Sequence, residues 1–210
     1  MEKAKQNLIN GLLKKYRGAK CELKFNNNFE LLVSVILSAQ CTDARVNKIT
    51  PALFAVADTP QKMLLLGEDK LKGYIRSCGF FNNKAKNIML ASKDIVERFG
   101  GVVPTKKEDL LTLAGVGEKT ANVMLVVANG EPAMPVDTHV FRLAHRLGFS
   151  AGKTPKKVQE DLEKLIDKSL WADFHHALIF HGRYVCKAIK PNCITCEFNN
   201  DCPHFGQKEK

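Results

Sequence analysis

Apolar residues recur at intervals of three and four along nearly the whole chain: Leu8, Leu12 and Leu13; Leu31, Val35 and Leu37; Ile88, Ala91 and Ile95; Val140, Leu143, Ala144 and Leu147; Val158, Leu162, Leu165 and Ile166. That spacing lines one face of an α-helix, and no sustained two-residue alternation bounded by hairpin dipeptides competes with it. The pattern predicts an all-α chain of about ten short helices. Punctuation agrees: Thr154-Pro155 puts proline at a helix start, and Gly100-Gly101 stops a helix at Phe99 ahead of Pro104. No internal repeat or low-complexity linker interrupts the 210 residues, enough for one large or two small domains with a sizeable core.

Thirty-two basic residues face twenty-two acidic ones, a formal net charge of +10. Such a field concentrates polyanions, so nucleic acid is the first candidate partner, with a merely basic cytosolic protein as the alternative. Charge in Met1 to Ile9, with no long apolar run after it, argues against a secretory signal. The longest apolar stretch, Val123 to Ala128, is too short to span a bilayer. A soluble, cytoplasmic protein with no membrane partner is expected.

Four of the seven cysteines, Cys186, Cys193, Cys196 and Cys202, form a Cys-x6-Cys-x2-Cys-x5-Cys run. Four thiolates suit tetrahedral zinc or an iron–sulfur cluster, and spacing alone does not choose between them. Two disulfides would need an oxidising compartment. Cys21, Cys41 and Cys78 read as free thiols. His175, His176 and His181 precede the run, but four thiolates already complete a site, so these histidines are expected to hydrogen-bond in the core.

Leu110 to Ala128 reads as a helix, a tight Gly115-Val116-Gly117 turn, and a second helix with Glu118, Lys119 and Thr120 in its first turn. Unpaired amides and the positive dipole end at such a start suit a phosphate, and glycines let it come close. Gly-x-Gly also ends ordinary helices.

Leu113 to Ala121 together with Val136-Asp137-Thr138-His139 and the four-cysteine run resembles the endonuclease III family of DNA glycosylases, as do Leu37 to Gln40 and Thr42-Asp43. One departure is Ala114, where that family usually carries proline. The resemblance implies a two-lobed helix-hairpin-helix glycosylase fold with a C-terminal iron–sulfur loop. Residues 22–132 would form a central barrel with the hairpin at about 108–128, and 1–21 with 133–210 a second lobe carrying a [4Fe-4S] cluster at 186–202. A groove between the lobes would take duplex DNA with a damaged base or abasic site, bound by a monomer.

By the same resemblance, Lys119 is the amine that attacks C1′, expels the base and forms a Schiff base permitting β-elimination; the favoured lesions are oxidised pyrimidines. The attack needs a neutral amine. At a pKa near 10.4 only about a few parts in ten thousand are neutral at pH 7, whereas tuning to about 8 gives roughly a tenth, at about 3 kcal/mol. A helix N-terminus and desolvation by DNA act in that direction, and Glu118 acts against it. Asp137, facing Lys119 across the groove, would stabilise positive charge developing on the sugar; its other reading is the N-cap of a helix over Thr138 to Leu147.

Flipping a nucleotide leaves a hole to fill. Gln40 is the expected plug, with Asp43 beside the extruded base or capping the next helix. Phe80 in Gly79 to Lys84 reads as a second wedge or as a core phenylalanine. Gly115, Val116, Gly117, Thr120, His139, Arg183, Lys187 and Lys190 complete the expected DNA contacts. Two rivals remain: a monofunctional adenine-mismatch relative, which usually lacks the lysine, and a non-catalytic nucleic-acid-binding protein with structural zinc.

Overall fold

The computed structural model describes residues 2–206, and these are helical, with no strand among them. The helices are α1 (Glu2–Lys15), α2 (Asn28–Ser38), α3 (Asp43–Phe54), α4 (Pro60–Leu66), α5 (Glu68–Ile75), α6 (Phe81–Phe99), α7 (Lys107–Leu110), α8 (Glu118–Asn129), α9 (Thr138–Arg146), α10 (Pro155–Leu165), α11 (Trp171–Tyr184) and α12 (Pro203–Gly206). The count exceeds the sequence expectation because α7 and α12 are single four-residue turns, too short to show an apolar period. Two further 3-10 turns, Lys168–Leu170 and Asn199–Asp201, join neighbouring elements.

The chain divides into two compact units, Glu22–Gly130 and Met1–Cys21 with Glu131–Lys210. In the first unit α2 is the axis, because Phe29 to Leu37 are all buried and the helix is covered by α3, α6 and α8. A helix apolar on every side is stable only in that place. Its start is doubly secured: Asn27 accepts from the Glu30 amide at 2.9 Å, while Glu30, 3% exposed, accepts from the Asn26 amide and side chain at 2.6 and 3.0 Å. This is a capping box displaced by one residue, and it leaves the buried carboxylate hydrogen-bonded. At the far end of α6 the Phe99 stop is confirmed, with Gly100 in the left-handed conformation (φ 61°) and the Gly101 amide returning to Ile95 O at 2.9 Å.

In the second unit α1 packs on α11, which packs on α9, which packs on α10. Leu8 and Leu12 of α1 join Val140, Leu143, Val158, Leu162, Phe174 and Leu178 in one core. The N-terminal helix is thus buried with the C-terminal half of the sequence, although the other unit lies between them in the chain. Thr154 caps α10 through the Lys157 amide at 3.2 Å, with Pro155 in the first turn.

Replacing Asn27 with alanine removes the cap of the most buried helix and should cost about 1–2 kcal/mol. That corresponds to a melting temperature lower by about 2–8 °C, read by circular dichroism.

Candidate DNA-binding and catalytic site

The turn between α7 and α8 is built by backbone hydrogen bonds from Leu113 N to Leu110 O and from Val116 N to Leu113 O, both 3.1 Å, with Leu110, Leu113 and Val116 buried. Gly115 is left-handed (φ 79°), and a Cβ there would come within 2.9 Å of the Asn87 Cβ on α6. Only glycine permits this seating. Gly117 then begins α8 from extended backbone with no side-chain cap, and a Cβ at Gly117 would meet nothing within 4 Å. The amides of the first turn of α8 therefore lack a side-chain acceptor, beside a surface bare of side chains, which is the arrangement an incoming phosphate needs. Lys119 projects from this turn into solvent and Thr120 is half-buried. Glu118 turns away to pair with Lys107 at 2.8 Å, strapping the two hairpin helices together instead of engaging its neighbour Lys119.

Asp137 is the N-cap of α9, and both cap bonds, from His139 N and Val140 N at 2.8 Å, end on Oδ1. Oδ2 takes no part in the cap. The side chain is half-buried, so the cap fixes one oxygen while the carboxylate stays accessible. His139 lies against Gly182, where a Cβ would come within 3.0 Å of the His139 Cβ. Burial pushes the His139 pKa down, against Asp137 acting the other way, and Arg142 and Arg183 lower it further. The lowered pKa favours the neutral imidazole of His139.

The four C-terminal cysteines carry no disulfide and are each half-buried. They line a single cavity together with Leu147, His181, Val185, Pro191 and Phe205. Among the described residues no group of three or more His, Cys, Asp or Glu side chains is arranged to hold a metal ion. Burial raises the thiol pKa of Cys196 and Cys202, and backbone amides oppose this: Phe198 at Cys196, Phe205 and His204 at Cys202. Those amides are already placed to stabilise sulfur anions. His181, 1% exposed, is pushed down to about 4 by burial. It is hydrogen-bonded to the Tyr16 hydroxyl at 3.0 Å and lies 3.8 Å from Cys196 Sγ, a core role of the kind its sequence suggested.

Two residues absent from the sequence reading hold this loop. Arg142 donates to Gly182 O at 2.9 Å and to Cys186 O at 3.1 Å; one turn later Arg146 donates to Lys187 O at 2.7 Å, Ala188 O at 3.0 Å and Cys186 Sγ at 3.4 Å. Their i, i+4 spacing was visible, but the carbonyls they bind lie 40 to 44 residues onward. On the other side, Lys15 of α1 pairs with Glu197, and Gly11 leaves room for the Phe198 ring. Lys187 and Lys190 stand exposed on the braced loop, with Lys190 left-handed (φ 51°); Arg183, on α11, is half-buried.

In the other unit, Gln40 follows α2 and Phe80 precedes α6; both are exposed and left-handed (φ 53° and 56°). For non-glycine residues this conformation costs about 1–2 kcal/mol, and strain of that kind concentrates at functional loops. Phe80 is 69% exposed, which removes the core reading for it. Below them Lys84, 5% exposed, donates to Leu37 O at 2.8 Å and joins the end of α2 to the start of α6. Asp43 is the first residue of α3, but Thr42 is the cap, through the Arg45 amide.

Residues 33–168 match the HhH-GPD superfamily of base excision DNA repair proteins. Endonuclease III of Haemophilus influenzae is 51% identical over 189 residues, 90% of this chain and 88% of that protein. The chain belongs to the endonuclease III family. Its fold superposes on that of a trapped endonuclease III–DNA covalent intermediate with a TM-score of 0.95 at 40% identity, covering 100% of this chain and 99% of the other. A non-covalent endonuclease III–DNA complex matches equally, with a TM-score of 0.95, 40% identity, and coverage of 100% and 98%. Among the described residues no helix is long and apolar enough to cross a membrane.

For this endonuclease III relative, the two hairpin glycines should separate on substitution. Gly115→Ala meets both the left-handed backbone and Asn87 and should cost about 1–3 kcal/mol in stability. Gly117→Ala should leave stability within about 0.5 kcal/mol while weakening duplex binding. Thermal melts paired with fluorescence anisotropy on duplex DNA test both.

Proposed function

We propose that the protein is a bifunctional DNA glycosylase and AP lyase of base excision repair that acts, as a monomer inside the cell, on duplex DNA carrying oxidised pyrimidines or abasic sites. The observation that carries this is the solvent-facing Lys119 in the first turn of a helix whose start is bare and uncapped. In such a place the turn grips the backbone phosphate, so the amine stands next to the sugar carbon it attacks. The similarity to a trapped endonuclease III–DNA covalent intermediate supports the same chemistry.

In this reading the neutral Lys119 amine attacks C1′ and the glycosidic bond electrons leave with the base. The nitrogen then loses a proton and the sugar ring opens, giving the Schiff base. Removal of a 2′ proton expels the 3′ phosphate and nicks the strand. Asp137, held through Oδ1, stabilises positive charge on the sugar with the oxygen the cap leaves out. Gln40 and Phe80 fill the space vacated by the flipped nucleotide, with Asp43 beside the extruded base. Gly115, Val116, Gly117, Thr120, His139, Arg183, Lys187 and Lys190 hold the phosphates.

Cys186, Cys193, Cys196 and Cys202 are the proposed ligands of a [4Fe-4S] cluster. The donor set is soft and complete, and the four thiols line one cavity. Such a group supplies bracing for the basic loop and no open coordination position for substrate.

Borohydride added with abasic-site DNA should trap a covalent adduct with the wild type and none with Lys119→Ala; an undiminished adduct from the variant would exclude this lysine. Asp137→Asn keeps a good N-cap and should preserve stability within about 0.5 kcal/mol while base release drops. Asp137→Ala should also lose about 1 kcal/mol. The purified protein should be brown and contain about four irons per chain, and Cys193→Ala should lose the visible absorbance while Lys119→Ala retains it.

A further inference from the structure

Outside the four-cysteine cavity, two thiols meet in the other unit: the Sγ atoms of Cys41 and Cys78 are 3.6 Å apart. A disulfide needs about 2.05 Å, so closing the pair takes a movement of about 1.5 Å. Both residues lie in non-helical segments, Cys41 between α2 and α3 and Cys78 between α5 and α6, where side-chain rotation and small backbone shifts are possible without breaking a helix. Their accessibility differs: Cys41 is half-buried and Cys78 is 2% exposed. Burial pushes the Cys78 thiol up to about 11, while Lys84 and Arg45 act in the opposite direction. Each thiol adjoins an exposed, left-handed residue, Gln40 directly before Cys41 and Phe80 two residues after Cys78. A Cβ at Gly79 would lie 3.8 Å from Gln40 O, so the two loops are in contact.

We propose that Cys41 and Cys78 form an oxidisable dithiol that cross-links the Gln40 and Phe80 loops and switches duplex binding off. The oxidant is a low-molecular-weight disulfide. The Cys41 thiolate attacks one of its sulfurs and releases one thiol, giving a mixed disulfide. Cys78 then attacks the Cys41 sulfur and releases the second thiol. The protein loses two protons and two electrons, and the external disulfide takes them up and is reduced to two thiols. The more accessible thiol starts the exchange and the buried one resolves it. Drawing the sulfurs together moves both loops, and this consequence rests on the proposed insertion of Gln40 and Phe80 into DNA.

The full-length protein with its native metal content, treated with oxidised glutathione, alkylated and cleaved by trypsin without reduction, should yield residues 25–45 joined to 77–84, two hydrogens lighter than the separate peptides. Visible absorbance is followed to show the metal centre unchanged. Affinity for a duplex with a stable abasic analogue should fall on oxidation and return with dithiothreitol, whereas Cys41→Ser and Cys78→Ala should show no oxidant response. Glutathione retained on Cys41 without the linked peptide, or a linked peptide with unchanged affinity, would overturn the proposal. Gln40→Ala and Phe80→Ala in the reduced protein test the insertion reading separately: unchanged affinity there removes that reading, while the linked peptide still reports the dithiol.

Discussion

The seating of Gly115 against Asn87 sets the geometry on which the proposed chemistry depends. A left-handed residue with no room for a Cβ fixes the hairpin onto α6, and that contact determines where α8 begins. Because α8 starts from Gly117 with no side-chain cap, the first-turn amides stay available, and Lys119 stands on the same turn. A serine or aspartate cap would stabilise the helix by about a few tenths of a kcal/mol and would occupy the place that the proposed function gives to a phosphate. The Lys107–Glu118 ion pair ties the hairpin together away from that position.

In the other unit α9 serves three purposes at successive turns. Its cap is Asp137, whose two amide bonds on one oxygen orient the carboxylate. His139, in the first turn, has its pKa pushed down by burial. Arg142 and Arg146 reach the carbonyls of residues 182 to 188 and hold the start of the cysteine loop. The helix that Asp137 caps is thus tied by hydrogen bonds to the start of the cysteine loop. Lys15 and Phe198 close the loop against α1, so that the N-terminal helix supports the C-terminal cysteine region.

What the sequence determined by itself was whatever depends on near neighbours. Apolar spacing, Thr154-Pro155, Gly100-Gly101 and Asp137 ahead of Thr138 set helices and caps through hydrogen bonds a few residues long, and they were legible for that reason. The hairpin and four-cysteine motifs carried the family, which the relatives bear out. Tertiary structure decided the rest. Thr42 and not Asp43 caps α3, Phe80 is outside the core, Glu118 pairs with Lys107, and Cys41 meets Cys78 across 37 residues. Arg142 and Arg146 drew no reading from the sequence, and the fold brings distant carbonyls to them. Local pattern fixes which backbone groups a helix satisfies, but the partner of a long side chain is whatever packing places within about 3 Å, and no spacing along the chain encodes that distance.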